Sequence, residues 1–384
     1  MLLSTALSFC AAHYGWLLVC ALLLLLLVQL ARHASADADF DLLAAARAYP
    51  QRGAFAGQVV LIVGASSGIG EALALEFARG GATVIVAARR MEELQRVAKQ
   101  CLAEGAAASQ AVALDVTAFG SHEGVVAELL RKHGRIDILC NNAGRSQRGL
   151  VEVTPLAVDQ ELFALNVFGV MSMTRAVLRH ALGKQERLRI LNTSSVAGKV
   201  GSAVSASYAA SKHAIQGWMD SLRMELGWRG WVYFSTLPLL ALTPSHPLPP
   251  PPPLPRPTAT RARRVSVTNC CPGPVHSEIT LHSFTDVPGK EMGVREDGST
   301  RMSAARCALL MAAACHAGLE EAWMAPQPIL FFVYVGQYVK WLYFRLSPTL
   351  GKQRVQGWKS GVKGYNSLSV TAALSAGSSS SKSE

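Results

Sequence analysis

From residue 57 onward, short wholly apolar runs alternate with stretches in which apolar positions recur every three or four residues. Residues 59–63 (Val-Val-Leu-Ile-Val) contain no polar position, which predicts a strand buried on both faces. A helix is expected from there to residue 79, then a strand at 83–88, a helix at 91–103, a strand at 111–114, a helix at 121–132 and a strand at 136–140. The pattern continues with a long helix near 156–182, a strand at 189–193, a helix at 206–226 and a last strand at 265–270. Strands that are β-rich and apolar on both faces, each followed by a helix, predict an α/β fold: a doubly wound parallel sheet with right-handed crossovers.

Three segments break this rhythm. Residues 16–30 are almost uniformly apolar and the first charged residue is Arg32, so residues 1–32 have the length and composition of a membrane-crossing helix. The rival is a cleaved signal peptide, for which Ala34-Ser-Ala36 offers a small-residue site. No Lys or Arg precedes the apolar run, which favours the uncleaved anchor. Residues 227–264 carry ten of the 18 prolines, including the run 249–253, where an α-to-β connection normally takes about 2–6 residues. Neither a helix nor a central strand continues through such a run, so an insertion is expected, read as a polyproline II excursion, a partner-binding motif or an unspliced segment. Residues 367–384, rich in Ser, read as a disordered tail.

Half of the 384 residues are apolar and 16% charged, which excludes a mainly disordered chain. Eight cysteines in a chain of this length are no disulfide framework, and none stands at metal-ligand spacing with another Cys or His. The net charge of +11 comes without a basic stripe interleaved with aromatics, so no nucleic-acid partner is expected. A membrane surface or a nucleotide cofactor accounts for it at least as well.

The candidate chemistry lies at the carboxyl ends of the predicted strands. Gly64-Ala65-Ser66-Ser67-Gly68-Ile69-Gly70 joins the first strand to its helix, where glycines let the backbone turn tightly and a pyrophosphate approach the helix N-terminus. The second strand ends in Arg89-Arg90, where an acidic residue would hold a ribose diol; two guanidiniums suit a 2′-phosphate instead, and so NADP(H) over NAD. Asp115-Val116 closes the third strand, with a carboxylate available to an adenine amino group, and Asn141-Asn142-Ala143-Gly144 closes the fourth. After the fifth strand come Ser194-Ser195 and then Tyr208-Ala-Ala-Ser-Lys212, whose Tyr and Lys share one helix face at i and i+4. Lys212 is expected to lower the Tyr208 pKa by its charge, and Ser195 to hydrogen-bond a reacting carbonyl oxygen.

In this order and spacing the motifs resemble the short-chain dehydrogenase/reductase family, over about residues 57–350 with the 227–264 segment as an interruption. The matching elements are the glycine turn, Asn141–Gly144, Asn166, Ser195, Tyr208, Lys212 and Cys271-Pro272-Gly273-Pro274-Val275. The resemblance implies a Rossmann-type domain with Tyr208 as proton donor and Ser195, thirteen residues before it, rather than Ser194, orienting the carbonyl. It also implies Lys212 on the nicotinamide ribose and Asn166 holding a water of the proton relay. Ser66, Ser67 and Ile69 fall on cofactor-contacting turn positions, and Pro272, Gly273, Val275 and Ser277 beside the nicotinamide. Val63 departs from the family, which usually has Thr there.

Residues 276–303 would form a variable lid, and residues 326–346 bring Phe331, Phe332, Tyr334, Tyr338, Trp341, Tyr343 and Phe344, read first as a packing surface and second as a route for an apolar substrate. The resemblance implies small apolar carbonyl or alcohol substrates (steroid, retinoid or xenobiotic), membrane lipid as a further partner, a homodimer as an option, and the endoplasmic reticulum membrane as location. Two rivals stay open: a nucleotide-binding scaffold without turnover, and a proline-rich membrane adaptor on an inactive fold.

Overall fold

The computed structural model describes residues 36–228, 265–294 and 301–360, together with residues 20 and 24. The apolar segment 16–30, the proline run and the Ser-rich tail lie otherwise outside these residues. Seven strands, β1 Val59–Val63, β2 Thr83–Ala88, β3 Ala108–Ala113, β4 Ile138–Asn141, β5 Leu188–Thr193, β6 Val265–Pro272 and β7 Glu321–Met324, form one sheet in the order β3-β2-β1-β4-β5-β6-β7. Every pairing is parallel. The strand order reverses between β1 and β4, which opens a crevice at their carboxyl ends.

Alternation along the strands explains the two layers of helices. On β1, Val60 and Ile62 join a core with Leu73 and Phe77 of helix Gly68–Arg79 and with Leu310 and Met311 of helix Ala304–Ala317. Val59, Leu61 and Val63 face the opposite core, with Met173 and Val177 of helix Val170–Lys184 and Ile215 and Met219 of helix Ala206–Trp228. Both faces are therefore covered, as a parallel sheet of Val and Ile requires.

The strand expected at 265–270 is not the last. β7 pairs with it at Asn269↔Glu321 through Pro272↔Met324, and four residues gave too short an apolar run to be read ahead of the structure. Packed chain also begins before residue 57. Ala38 bridges antiparallel to Met324, the Asp37 carboxylate is paired with Arg306, and helix Phe40–Ala48 buries Leu42 in the sheet's first core.

The long segment Leu156–Lys184 is apolar and long enough to cross a membrane by length and composition, but it packs against the sheet through Val170, Met173 and Val177. Its apolarity belongs to the core. Within it, Ala164–Gly169 is wound as a π-helical turn with Asn166 at its centre.

Candidate active site

A cavity of about 1030 Å³ runs along the carboxyl ends of β1, β2, β4, β5 and β6. Its floor is the glycine turn. Gly64 has φ +89°, and a Cβ there would stand 2.5 Å from the Ala143 nitrogen; Gly68 has φ +61°. A Cβ at Gly70 would overlap the Gly64 carbonyl oxygen, so glycine is what lets helix Gly68–Arg79 start so close to the strand end. The Asn142 amide donates to the Gly64 carbonyl at 2.9 Å and accepts from the Thr193 hydroxyl at 3.1 Å, tying the ends of β1, β4 and β5 together. The helix N-terminus then opens onto the cavity with free space above the turn, a cradle shaped for a phosphate group.

Arg89 and Arg90 line the same end of the cavity. Arg90 Nη2 donates to Ser66 Oγ at 3.0 Å and Ser67 Oγ at 2.9 Å, and the same guanidinium lies 3.5 Å from a Glu278 carboxylate oxygen. Asp115 accepts from the Thr117 backbone and hydroxyl. Burial raises its pKa, but these bonds and the Arg89 charge outweigh burial and hold the carboxyl below its ordinary value. Val116, Ala143, Gly144, Pro272, Gly273, Val275 and Ser277 complete this half.

At the other end stand Ser195, Tyr208 and Lys212. The Ser195 hydroxyl faces the cavity, donating to the Pro272 carbonyl at 3.3 Å and accepting from Ala197 N–H at 3.1 Å. Ser194 is engaged elsewhere: its hydroxyl accepts from Gln216 at 2.6 Å and donates to the Lys212 carbonyl at 3.4 Å. Lys212 is buried, donates to the Thr193 carbonyl at 2.9 Å, and lies 5.8 Å from the centre of the Tyr208 ring.

Burial moves both titratable groups. It lowers the Lys212 pKa to about 8, because an ammonium loses hydration there. It raises that of Tyr208, opposed by the nearby Ser195 hydroxyl and by the charge of Arg148. The lowered Tyr208 pKa expected from the sequence is not the net result: desolvation outweighs the neighbouring charge, and the shift is upward.

Asn166 is fully buried, and its side chain holds a loop. Its Oδ1 accepts from Arg145 N–H at 2.9 Å, and its Nδ2 donates to the Arg145 carbonyl at 2.9 Å and to Ser211 Oγ at 3.0 Å. The amide so engaged braces the chain behind Gly144.

The remaining wall comes from the aromatic stretch 326–346 and from residues that no motif singles out. Helices Ile329–Tyr338 and Lys340–Lys359 supply Ile329, Phe332, Val333, Tyr343, Leu350 and Arg354. Arg148 joins them from the loop after β4. Of the aromatic stripe, Phe332 and Tyr343 line the cavity, Tyr334 packs on Trp323, and Phe331, Tyr338, Trp341 and Phe344 are exposed. Nothing local marks Arg148 or Arg354, since neither stands in a recurring spacing.

A parallel sheet with a glycine-turn phosphate cradle and a Ser-Tyr-Lys cluster facing one cavity defines a dinucleotide-binding oxidoreductase, and the chain belongs to the short-chain dehydrogenase/reductase family. The family model described as "short chain dehydrogenase" matches residues 58–238. The chain is 36% identical over 351 residues to "Dehydrogenase/reductase SDR family member 7" of Homo sapiens, covering 90% of this chain and 94% of that one. Among solved structures it is similar to a short-chain dehydrogenase/reductase of Burkholderia phymatum in complex with NAD (TM-score 0.57, 23% identity, 73% of this chain and 93% of that chain). A metagenomic short-chain oxidoreductase in complex with NADP is similar with TM-score 0.52 and 25% identity, over 71% of this chain and 99% of the other.

Proposed function

We propose that the protein is an NADP(H)-dependent carbonyl reductase acting on small substrates with an apolar body, steroid, retinoid or xenobiotic aldehydes and ketones among them. The observation that carries this reading is the convergence of the Ser195 hydroxyl, Tyr208 and Lys212 at one end of a cavity whose other end is a phosphate cradle flanked by Arg89 and Arg90. The pyrophosphate would lie on the turn from Gly64 to Gly70, with Ser66, Ser67 and Ile69 around it. The arginines would pair with a 2′-phosphate in fork geometry. Asp115 and Val116 would meet the adenine, Asn142, Ala143 and Gly144 the sugar edge, and Pro272, Gly273, Val275 and Ser277 the nicotinamide side. A nicotinamide dinucleotide, when bound, supplies the hydride.

This chain's own residues do the rest. The Tyr208 phenol gives its proton to the carbonyl oxygen as negative charge develops there, and Ser195 hydrogen-bonds the same oxygen and fixes its position. Lys212, held by the Thr193 carbonyl, stands where its ammonium can reach ribose hydroxyls and stabilise the phenolate left behind. Asn166, through its hold on Arg145, keeps the loop after Gly144 at the mouth of the relay. The apolar segment 16–30 supports a place at a membrane with lipid as neighbour, which we take to be that of the endoplasmic reticulum.

The test is NADPH oxidation by the full chain with a panel of apolar aldehydes and ketones. Tyr208→Phe is expected to lower turnover by about 10²-fold or more while NADPH binding, read by fluorescence, persists. A variant that retained a tenth of the activity would overturn the mechanism. NADPH binding by the wild-type chain without turnover of any carbonyl would favour the scaffold reading.

A further inference from the structure

The spacing from Tyr208 to Lys212 recurs once more on their helix. Gln216 stands a further four residues on, so the three side chains share one face of helix Ala206–Trp228. Tyr208 and Lys212 line the cavity, whereas Gln216 is 4% exposed and lies outside its lining. The Gln216 amide nitrogen meets acceptors from two strand ends. It donates to Ser194 Oγ at 2.6 Å and to the Ser195 carbonyl at 3.3 Å, and it lies 3.5 Å from Cys271 Sγ. Two successive turns of the helix therefore clamp the chain leaving β5: Lys212 holds the Thr193 carbonyl, and Gln216 holds residues 194 and 195. Residue 198 is a glycine, and a Cβ there would stand 2.2 Å from the Gln216 nitrogen, so the amide fits only because that side chain is missing. These contacts converge on what fixes the Ser195 hydroxyl. The hydroxyl donates to the Pro272 carbonyl at 3.3 Å, and Pro272 directly follows Cys271. Gln216 thus touches the backbone of Ser195 on one side and the residue before its acceptor on the other.

We infer that Gln216 is a positioning residue, which sets the Ser195 hydroxyl relative to the Tyr208 phenol so that both reach one carbonyl oxygen. This rests on reading the cavity as a carbonyl-reductase site. Tyr208 stands on a helix and Ser195 on the turn after β5, so their separation depends on how firmly those two elements are joined. Misplacement of a catalytic hydrogen bond by about 1 Å can cost about 100-fold in rate. Lys212 makes its join at Thr193, two residues short of Ser195, and the join at Ser194 and Ser195 belongs to Gln216. An apolar side chain of the same bulk would fill the space yet leave the Ser194 hydroxyl and the Ser195 carbonyl without this donor. The dinucleotide end is fastened separately, by the Asn142 amide on Gly64 and Thr193. Loss of the Gln216 donor therefore falls on turnover and spares cofactor binding.

The experiment compares the full chain with Gln216→Met, Ser195→Ala and the double variant, methionine keeping the bulk of glutamine without its donor. NADPH affinity is read by fluorescence. Reduction of 4-nitrobenzaldehyde and of benzil is followed in single turnovers, so that slow variants stay measurable. Gln216→Met should lower the single-turnover rate about tenfold or more while the Kd for NADPH stays within about twofold. In the Ser195→Ala background the same substitution should change the rate by less than about twofold, because Gln216 acts through a hydroxyl that is no longer there. Equal losses in both backgrounds, or a parallel loss of NADPH affinity, would make Gln216 a support of the fold only and overturn the assignment. Should Gln216→Met fail to fold, Ser194→Ala removes the shortest of its bonds from the other side and enters the same cycle. There a loss of rate confined to the background with Ser195 supports the assignment, and no loss overturns it. Hydrogen exchange at the Ala197 amide, which donates to Ser195 Oγ at 3.1 Å, reads the brace without turnover and should quicken about tenfold in Gln216→Met. A wild-type chain that binds NADPH but reduces neither carbonyl would defeat the reductase reading by itself. Quickened exchange would then leave the brace standing, and unchanged exchange would overturn it too.

Discussion

The two ends of the cavity are built differently. The dinucleotide end is held by backbone at contact distance: the Ala143 nitrogen lies against Gly64, the Gly64 carbonyl against Gly70, and the Asn142 amide fastens strand to turn. The substrate end is held by side chains reaching between remote segments. The Tyr343 hydroxyl donates to the Gly201 carbonyl at 3.3 Å, Arg354 donates to Ser202 at 2.6 Å, and the Gln337 amide donates to the Lys199 carbonyl. A surface made of backbone has no room for variation and suits a ligand of constant shape. One made of long side chains is re-tuned by single substitutions without disturbing the sheet, which is where differences in substrate among related chains are free to arise.

The contrast breaks most sharply at two glycines. Gly70→Ala drives a methyl into the Gly64 carbonyl and should lower the Tm by about 5 °C or more and abolish measurable dinucleotide binding. Gly201→Ala, whose Cβ would meet only the Tyr343 hydroxyl at 3.7 Å, should shift the Tm by no more than about 2 °C. Comparable losses in thermal melts of the two variants would mean that the ends are equally rigid.

Next in size is cofactor choice. Arg89→Asp combined with Arg90→Gln removes charge-assisted bonds to a 2′-phosphate and should weaken NADPH by about 10- to 100-fold, with NADH changed far less. An unaltered ratio of the two Michaelis constants would show these arginines to be surface charges only.

A third effect concerns the strap before helix Phe40–Ala48. Asp39 accepts from the Trp323 N–H at 2.6 Å and from the Tyr334 hydroxyl at 2.9 Å, behind the substrate wall. Burial raises its pKa from 3.8 to about 6, against the pull of those two hydrogen bonds. The folded chain therefore holds the Asp39 proton more tightly than the unfolded one. The stability this contributes is complete below about pH 4 and is lost as the pH rises through about 6. Thermal melts between pH 4 and 7 should show that slope, and Asp39→Asn should flatten it; an identical slope in the variant would assign it to other groups.

The smallest effect is expected from Tyr343→Phe. Loss of one half-exposed bond to Gly201 should cost about 0.5 kcal/mol or less in stability and move substrate KM about twofold, leaving KM for NADPH alone. A larger change for NADPH than for substrate would show the two ends to be coupled.

The proline-rich segment bears on the same division. The described chain ends at Trp228 and resumes at Val265, the carboxyl end of a helix and the amino end of β6, whereas the cavity lies at the carboxyl ends of the strands. The inserted residues thus leave and rejoin the fold away from both ends of the cavity.

How much could be read from the sequence follows the division between the ends. Strands β1, β2 and β5, the glycine turn, and the Ser195, Tyr208 and Lys212 positions were legible, because continuous apolar runs, a period of 3.6 and local spacings carry them. Strand β7, with only Glu-Ala-Trp-Met, and helix Phe40–Ala48 were not, because the strand draws its stability from pairing with β6 and the helix from packing on helix Ala304–Ala317. The sequence by itself determined the parallel α/β architecture and the order of groups along the dinucleotide end, since each depends on residues within one turn or one strand. Only the tertiary structure decided that the Ser194 hydroxyl is engaged by Gln216, that burial raises the Tyr208 pKa, that the Asn166 amide holds Arg145, and that Arg148 and Arg354 meet at Ser205. Those facts depend on desolvation and on contacts between residues up to 149 positions apart, as from Arg354 back to Ser205, and no local pattern encodes such a meeting.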